Sequence, residues 1–307
     1  MKIATFPKPL TMFRRFRLCH VLITLTLLVG QAVMAQEPGG GAPDPVAPLS
    51  AIGGSAPQGR SLGPLKHAPI VVELFTSQGC SACPAADQML ADLAQNPDIL
   101  PLSLHVDYWD YLGWKDELAS PAFTRRQKNY AQATGGDSLY TPQIIIGGVD
   151  ALMNPQPADL MRIIEAQRAA PVPVSVSARH EGDAFHIRLV PQNDLRGRLA
   201  LVMVRYVPNR RATITAGENQ DRTLNYSNVV LDMQMLAEWD GRQPMALRVT
   251  KGEAASLQQE VTTNFMPPAV APGKDWPADT RHALLVQQII NRKTALPGPI
   301  LAAIRLD

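Results

Sequence analysis

The hydrophobic positions between residues 67 and 170 follow two alternating patterns, one typical of buried strands and one typical of amphipathic helices. Continuous apolar runs at 70–75 and 99–106 predict strands that are covered on both faces. Two short apolar runs joined by Gly147 and Gly148 predict a hairpin over 143–153. Apolar residues at helical spacing predict three helices, over 80–96, 120–134 and 157–167. This order of elements is typical of an α/β fold.

The pattern changes after Pro171, where apolar and polar residues begin to alternate with a period of two. The alternation is clearest at 172–177 and 185–190. Five further strand-like runs follow at 199–206, 229–235, 245–249, 283–290 and 300–306. Strands without intervening helices predict a mainly antiparallel β-sandwich domain over 171–307. Because no Cys, His and acidic residues converge there, we expect this domain to position partners rather than to contribute catalytic groups.

The first 35 residues have the pattern of an export signal. Basic residues precede an apolar run from Leu18 to Val29, and the small residues around Ala35 suit cleavage by signal peptidase. The run is shorter than the ~20 residues that a membrane-spanning helix needs. Residues 36–66 are rich in Pro and Gly and predict a flexible linker. We therefore expect an exported protein, periplasmic or secreted, without a stable membrane span after removal of the signal.

Composition and charge exclude some classes of partner. The chain has 46% hydrophobic and 18% charged residues, as globular proteins do. Its formal charge is +2, but five of its basic residues lie in the predicted signal. The remainder of the chain has 24 basic and 27 acidic residues. Such a remainder has no basic footprint for nucleic acid or for a membrane surface.

Cys80 and Cys83 are the two cysteines that remain after removal of the signal, because Cys19 lies inside it. A disulfide that closes so short a loop stabilises a fold only weakly, which favours a chemical role. Residues three apart share one face of a first helical turn, where unpaired N–H groups favour a thiolate. The spacing therefore predicts Cys80 as the attacking thiolate and Cys83 as the resolving thiol.

Three alternatives stay open from the residues alone. They are a structural disulfide, a site for a soft metal such as copper(I) or zinc, and a binding module without catalysis. Zinc usually requires about four ligands. No second cysteine pair exists after Cys83, and the five histidines outside the signal are scattered: His67, His105, His180, His186 and His282.

Three segments carry a resemblance to a known family. They are ELFTSQGCSACPAAD at 73–87, HVDYWDYLGWKD at 105–116 and YTPQ at 140–143. They resemble an exported bacterial thioredoxin-like family named domain of unknown function 1223, within the thioredoxin superfamily. The resemblance implies a thioredoxin-like domain over 67–170, followed by the β-rich domain, and it brings no known substrate.

The resemblance also implies roles for individual residues. It implies that the peptide bond before Pro142 is cis, and that Thr141 and Pro142 form a substrate wall beside the cysteines. Tyr140 belongs to the same motif. Glu73 resembles the buried acid of thioredoxins that exchanges a proton with the resolving cysteine. Trp109 lies in an aromatic segment whose polar tips suit a peptide groove.

Two further expectations concern polar residues near this predicted site. His105 and Asp107 share a strand face and are able to hydrogen-bond to each other. Arg125, Arg126 and Lys128 are expected to form a solvated helix face.

These observations together predict an exported thiol–disulfide oxidoreductase that acts on protein or small-molecule disulfides. We expect it to need no cofactor besides the redox-active disulfide Cys80–Cys83. Its expected partners are periplasmic or secreted thiol or disulfide proteins and a redox partner.

Overall fold

The structure is a computed structural model that describes residues 61–62, 68–195, 197–250, 276–290 and 295–307. All of these residues belong to one unit of the chain, 56–307. The predicted signal and the predicted linker, apart from 61–62, lie outside the described residues. Within the described ranges, no helix has the length and apolar character needed to cross a membrane.

Three α-helices occur in the described part of the chain: α1 (Cys83–Leu93), α2 (Pro121–Ala133) and α3 (Pro157–Arg168). A 3₁₀ turn, Asp110–Leu112, precedes α2. The start of α2 follows from its sequence, because Ser120 Oγ accepts a hydrogen bond from the Ala122 amide at 3.2 Å and Pro121 opens the first turn. The predictions for α2 and α3 are confirmed to within one residue, whereas α1 begins three residues later than predicted.

Twelve strands are described, and every predicted strand has a counterpart among them. Five lie before the predicted boundary at residue 170, in what is called the first region below: β1 (Ser61–Leu62), β2 (Ile70–Thr76), β3 (Ile99–His105), β4 (Gln143–Ile146) and β5 (Asp150–Met153). Seven follow: β6 (Val174–Glu181), β7 (Ala184–Pro191), β8 (Arg198–Thr213), β9 (Thr223–Trp239), β10 (Met245–Thr250), β11 (Arg281–Ile289) and β12 (Pro297–Arg305).

The strands form two sheets. An eight-stranded sheet has the order β12-β11-β8-β9-β3-β2-β4-β5, and a four-stranded sheet has the order β1-β6-β7-β10. The larger sheet is mostly antiparallel, with parallel pairing of β2 with β3 and of β3 with β9. The fold is therefore mixed α/β with one large, mostly antiparallel sheet.

Strands from both sides of the predicted boundary at residue 170 share the larger sheet. The junction is the pairing of Ser103 in β3 with Val229 in β9. Beside it, Asn228 Nδ2 donates a hydrogen bond to the carbonyl of Pro101 at 2.9 Å. A hydrophobic cluster continues across the junction, since it includes Phe75 and Leu102 together with Val204 and Val230. The region after residue 170 is thus joined to the first region by backbone pairing and by a common core.

The two sheets pack face to face through a core of apolar side chains. Phe185 and Leu189 of the four-stranded sheet pack with Leu201 of β8 and Leu284 of β11. Two packed sheets agree with the sequence prediction, except that the larger sheet extends into the first region.

Strand β2 separates two cores, and this decides what its side chains contact. Val72 and Leu74 pack on the side of α1 and α3. Val71 and Phe75 pack on the opposite side, with Tyr130 of α2. Because side chains alternate along a strand, Glu73 lies on the α2 side.

Candidate active site

Cys80 and Cys83 form a disulfide, with an S–S distance of 2.20 Å and a Cα–Cα distance of 5.4 Å. Both residues are buried, while Ser81 and Ala82 between them are exposed. Cys83 is the first residue of α1. The pair therefore joins the end of the loop after β2 to the first turn of the helix.

The prediction that the helix begins at Cys80 is wrong. The Cys80 amide donates to the carbonyl of Ser77 at 3.2 Å, and the Cys83 amide donates to the carbonyl of Cys80 at the same distance. These two bonds make two consecutive turns, and the helix cap is Ala82. Cys80 consequently precedes the helix instead of occupying its first turn.

Trp109 of the aromatic segment contacts both the residue before Cys80 and the proline loop. The Thr141–Pro142 peptide bond is cis, as predicted. Trp109 Nε1 donates a hydrogen bond to Thr141 Oγ1 at 2.8 Å. Trp109 also packs against Gly79, where a Cβ atom would come within 3.1 Å of the Trp109 Cβ. Trp109 thus connects the residue before Cys80 to the residue before Pro142.

Tyr140 is half-buried at the start of this loop. Its carbonyl accepts a hydrogen bond from Gln127 Nε2 at 2.8 Å, and the same nitrogen donates to Gln143 Oε1 at 2.9 Å. Tyr140 is therefore fixed by its backbone to α2, and this hydrogen bond involves none of the other predicted site residues.

Glu73 does not lie where the sequence interpretation requires it. It is fully buried on the α2 face, where Arg126 Nε donates to Oε1 at 2.6 Å. Oε2 accepts from Arg126 Nη2 at 3.1 Å and from the Tyr130 hydroxyl at 2.6 Å. Helix α1 and Cys83 are on the other side of β2, so the structure does not bring Glu73 to the resolving cysteine. Arg126 is correspondingly the half-buried partner of Glu73 and not part of a solvated face.

Asp87 is the buried acid on the same helix as Cys83, and the sequence interpretation missed it. It follows Cys83 by four residues, which places both on one face of α1. Asp87 is 5% exposed, and neither carboxyl oxygen has a hydrogen-bond partner among the described groups. Burial raises the pKa of Asp87 to about 7, against the opposing effects of nearby His105 and of the Thr76 hydroxyl.

His105 and Asp116 form a buried pair beside Asp87. His105 Nδ1 lies 2.7 Å from Asp116 Oδ2, and neither side chain is exposed. Asp116 Oδ2 also accepts from the Gln78 amide at 2.9 Å, so it acts as the acceptor and Nδ1 carries the proton. The prediction that His105 bonds to Asp107 is wrong, because the side chain of Asp107 accepts from Thr124 Oγ1 at 2.5 Å instead.

Tyr226 of β9 completes this group. Its ring lies edge-on to the His105 ring, with centroids 4.7 Å apart. Burial raises the pKa of Tyr226, and the negative charges of Asp87 and Asp116 act in the same direction. The hydroxyl of Tyr226 and His105 Nε2 are buried without a hydrogen-bond partner in the described ranges. Asp87, His105, Asp116 and Tyr226 thus form one buried group.

The region after residue 170 also reaches the cysteine loop directly. Asn219, in the connection between β8 and β9, is fully buried. Its Nδ2 donates to the carbonyls of Gln78 and Cys80, each at 2.9 Å. Asn219 and Tyr226 therefore bring the region after residue 170 into contact with the cysteine loop and with His105, while the expectation that this region contributes no catalytic group stays a prediction. The cause is topological, since pairing with β3 places the end of the β8–β9 hairpin beside the loop after β2.

A metal ion would require several donor side chains that converge on one point. Among the described residues, no group of three or more His, Cys, Asp or Glu side chains is arranged to hold one.

Comparison with known proteins identifies similar chains. The family model described as Protein of unknown function (DUF1223) matches residues 71–265. The solved structure of protein AGR_C_4864 from Agrobacterium tumefaciens is 29% identical, with coverage of 79% of this chain and 95% of that chain and a TM-score of 0.58. HBP35 of Porphyromonas gingivalis is 13% identical, with coverage of 78% and 74% and a TM-score of 0.47. The comparison with curated proteins gives no match.

Proposed function

The chain belongs to the DUF1223 family of proteins of unknown function, and from that premise we propose that it is an exported, thioredoxin-like thiol–disulfide oxidoreductase. The observation that carries the proposal is the Cys80–Cys83 disulfide at the start of α1. Two cysteines at this spacing are suited to opening and closing a disulfide, since the closed loop adds little to stability.

The thioredoxin-like assignment is supported by the arrangement around the pair. The elements run β2, α1, β3, α2, β4, β5, α3, and their strands lie in the order β3-β2-β4-β5. β2 and β3 are parallel, and β4 and β5 are antiparallel to their neighbours. This is the arrangement that the sequence resemblance implies, with the cis Thr141–Pro142 bond before β4.

The proposed reaction is a reversible exchange of two electrons. A thiolate of a dithiol partner attacks Cys80 Sγ, so that a mixed disulfide forms, the Cys80–Cys83 bond breaks and Cys83 leaves as a thiolate. The second thiolate of the partner then attacks the mixed disulfide and releases Cys80. The partner is oxidised to a disulfide and the pair is reduced to two thiols; the reverse sequence reduces a partner disulfide.

Asp87 takes the role that the sequence interpretation gave to Glu73. When Cys83 leaves as a thiolate, protonated Asp87 supplies a proton on the same face of α1, and in the reverse direction its carboxylate accepts the thiol proton. A pKa of about 7 suits a group that must both donate and accept near neutral pH. Glu73, in contrast, is bound by Arg126 and Tyr130 on the far side of β2.

Thr141, Pro142 and Trp109 form the proposed substrate wall. Trp109 orients Thr141 through its indole nitrogen and contacts the residue before Cys80. Tyr140, which is half-buried and directly precedes Thr141, is proposed as part of the same surface. The proposed partners are thiol or disulfide proteins of an exported compartment, together with a redox partner of the same chemistry.

A trapping experiment tests the proposal in the full chain with Cys19→Ser, so that Cys80 and Cys83 supply the thiols. This chain should catalyse the reduction of insulin disulfides by dithiothreitol. Cys83→Ser should accumulate a mixed disulfide through Cys80, because the resolving thiol is missing. The double variant Cys80→Ser/Cys83→Ser is the control and should form no adduct. Absence of both turnover and adduct would overturn the proposal.

A further inference from the structure

The connection between β8 and β9, residues 214–222, forms a compact loop that is called the tip loop here. Within it, the Ile214 amide donates to the carbonyl of Arg222 and the Asp221 amide donates to the carbonyl of Ile214, both at 2.9 Å. The Arg222 side chain donates to Asn219 Oδ1 at 2.8 Å. The tip loop therefore has its own fixed shape.

The tip loop is anchored on both sides of the Cys80 loop. Asn219 binds the carbonyls of Gln78 and Cys80, as described above. Gly217 has a positive φ of 78° and lies against Trp114, where a Cβ would come within 3.2 Å of the Trp114 Cβ. Trp114 Nε1 in turn donates to Gln78 Oε1 at 2.7 Å. Asn219 and Gly217 thus hold the residue between them, Glu218, in a defined place.

Glu218 lies at the exposed end of this arrangement, beside the disulfide. Its Oε2 accepts a hydrogen bond from the amide of Ser81 at 3.2 Å. Ser81 directly follows Cys80 and is exposed. A carboxylate at this amide puts a negative charge on the residue next to Cys80, close to any thiolate that attacks its sulfur.

The other charged groups near the loop are differently placed. Asp116 and His105 form a buried pair behind Gln78, and Asp87 is buried on α1. Arg222 is bound to Asn219. Among the described groups, Glu218 is the charged side chain hydrogen-bonded to the backbone between the two cysteines.

We propose that Glu218 is a specificity-determining residue that selects against anionic thiols at Cys80. This inference rests on the proposed function and adds a substrate class to it, namely neutral or cationic thiols, such as cysteines flanked by Lys or Arg. The step concerned is the attack of a thiolate on Cys80 Sγ, in which the new S–S bond forms as Cys83 leaves. Repulsion by Glu218 acts on the rest of the attacking molecule.

The test measures how fast the Cys80–Cys83 disulfide is reduced by three small thiols at low ionic strength. The thiols are mercaptoethanesulfonate, which is anionic, 2-mercaptoethanol, which is neutral, and cysteamine, which is cationic. Rates are corrected for the thiolate fraction of each reagent. Glu218→Gln should lower the ratio of the cysteamine rate to the mercaptoethanesulfonate rate by about fivefold, and Glu218→Lys should lower it further. The effect should largely disappear in 1 M salt.

Glu165→Gln is the matched control, since Glu165 is an exposed glutamate on α3. It removes the same charge from the chain and should leave the ratio unchanged. A ratio that is the same in Glu218→Lys as in the parent chain would overturn this inference while leaving the proposed function intact. A disulfide that no thiol reduces would overturn the proposed function and this inference together.

Discussion

The two faces of β2 each bury a carboxyl group, and the two groups are held in opposite ways. On the α2 face, both oxygens of Glu73 are bound by Arg126 and Tyr130. On the α1 face, Asp87 has no hydrogen-bond partner among the described groups. A buried charge with full compensation contributes to the structure, whereas a buried acid without partners is held in its neutral form and is ready to exchange a proton. Burial alone therefore does not identify a functional acid.

The largest effect is expected when the positive charge that compensates Glu73 on the α2 face is removed. Arg126→Met leaves the Glu73 carboxylate buried without its cation, and we expect a loss of about 3–5 kcal/mol in the free energy of unfolding. Urea denaturation of the full chain measures it. Arg125→Met is the matched control, because Arg125 is an exposed neighbour on the same helix, and its effect should be within about 0.5 kcal/mol. Equal effects of the two variants would show that Glu73 does not depend on Arg126.

Two tyrosine variants test the same difference between the two faces of β2, with a smaller expected effect on stability. The Tyr130 hydroxyl donates to Glu73 and accepts from Gln287 Nε2 at 2.8 Å, so Tyr130→Phe should cost about 1.5–3 kcal/mol. The Tyr226 hydroxyl is buried without a partner in the described ranges, so Tyr226→Phe should not destabilise the chain and should stabilise it by up to about 1–3 kcal/mol. Urea denaturation of both variants checks the difference. A large loss in Tyr226→Phe would contradict the view that its hydroxyl is unsatisfied.

The pH dependence of stability tests Asp87 itself. The folded-state pKa of about 7 is above the ordinary value of 3.8, so the unfolded chain releases this proton first. Between pH 4 and 7 the folded state therefore loses stability as pH rises, by up to about 4 kcal/mol in all. Asp87→Asn removes this loss, although its buried amide costs about 1–3 kcal/mol. At pH 8 the variant should therefore be more stable than the parent by a net gain of about 1–3 kcal/mol, and between pH 4 and pH 8 it should lose about 4 kcal/mol less stability than the parent.

Asp92→Asn provides the control for this measurement, because Asp92 is exposed on the same helix. It should keep the pH dependence of the parent chain in urea denaturation at pH 4, 6 and 8. Identical pH profiles for Asp87→Asn and the parent would mean that Asp87 ionises like an ordinary surface carboxyl.

Local patterns predict most of the secondary structure, because the apolar period and the capping residues act within a few positions. Ser120 and Pro121 mark the start of α2 in this way. The start of α1 is the exception, since the two turns ending at Cys80 and Cys83 depend on backbone bonds that the apolar pattern does not encode. The apolar period also does not predict that strands from both regions share one sheet, because the pairing of Ser103 with Val229 depends on tertiary contacts.

The site was predictable where its residues are close in sequence or share a family motif, as for Cys80, Cys83 and Pro142. Asp87 did have a local signal: an acid between Ala86 and Leu90, four residues after Cys83, on the buried face of an amphipathic helix. Glu218 and Asn219 had none, since well over a hundred residues separate them from the cysteines and only the topology brings them together.

The pairing of β3 with β9 sets an order of events during synthesis. The chain is made from its amino terminus, so β3 emerges more than a hundred residues before Val229, its partner in the sheet. Until then the backbone groups along that edge of β3 are open to water or to another nascent chain. Completion of the sheet and placement of Asn219 on the cysteine loop depend on the same hairpin. The disulfide is therefore enclosed only after most of the polypeptide has been made.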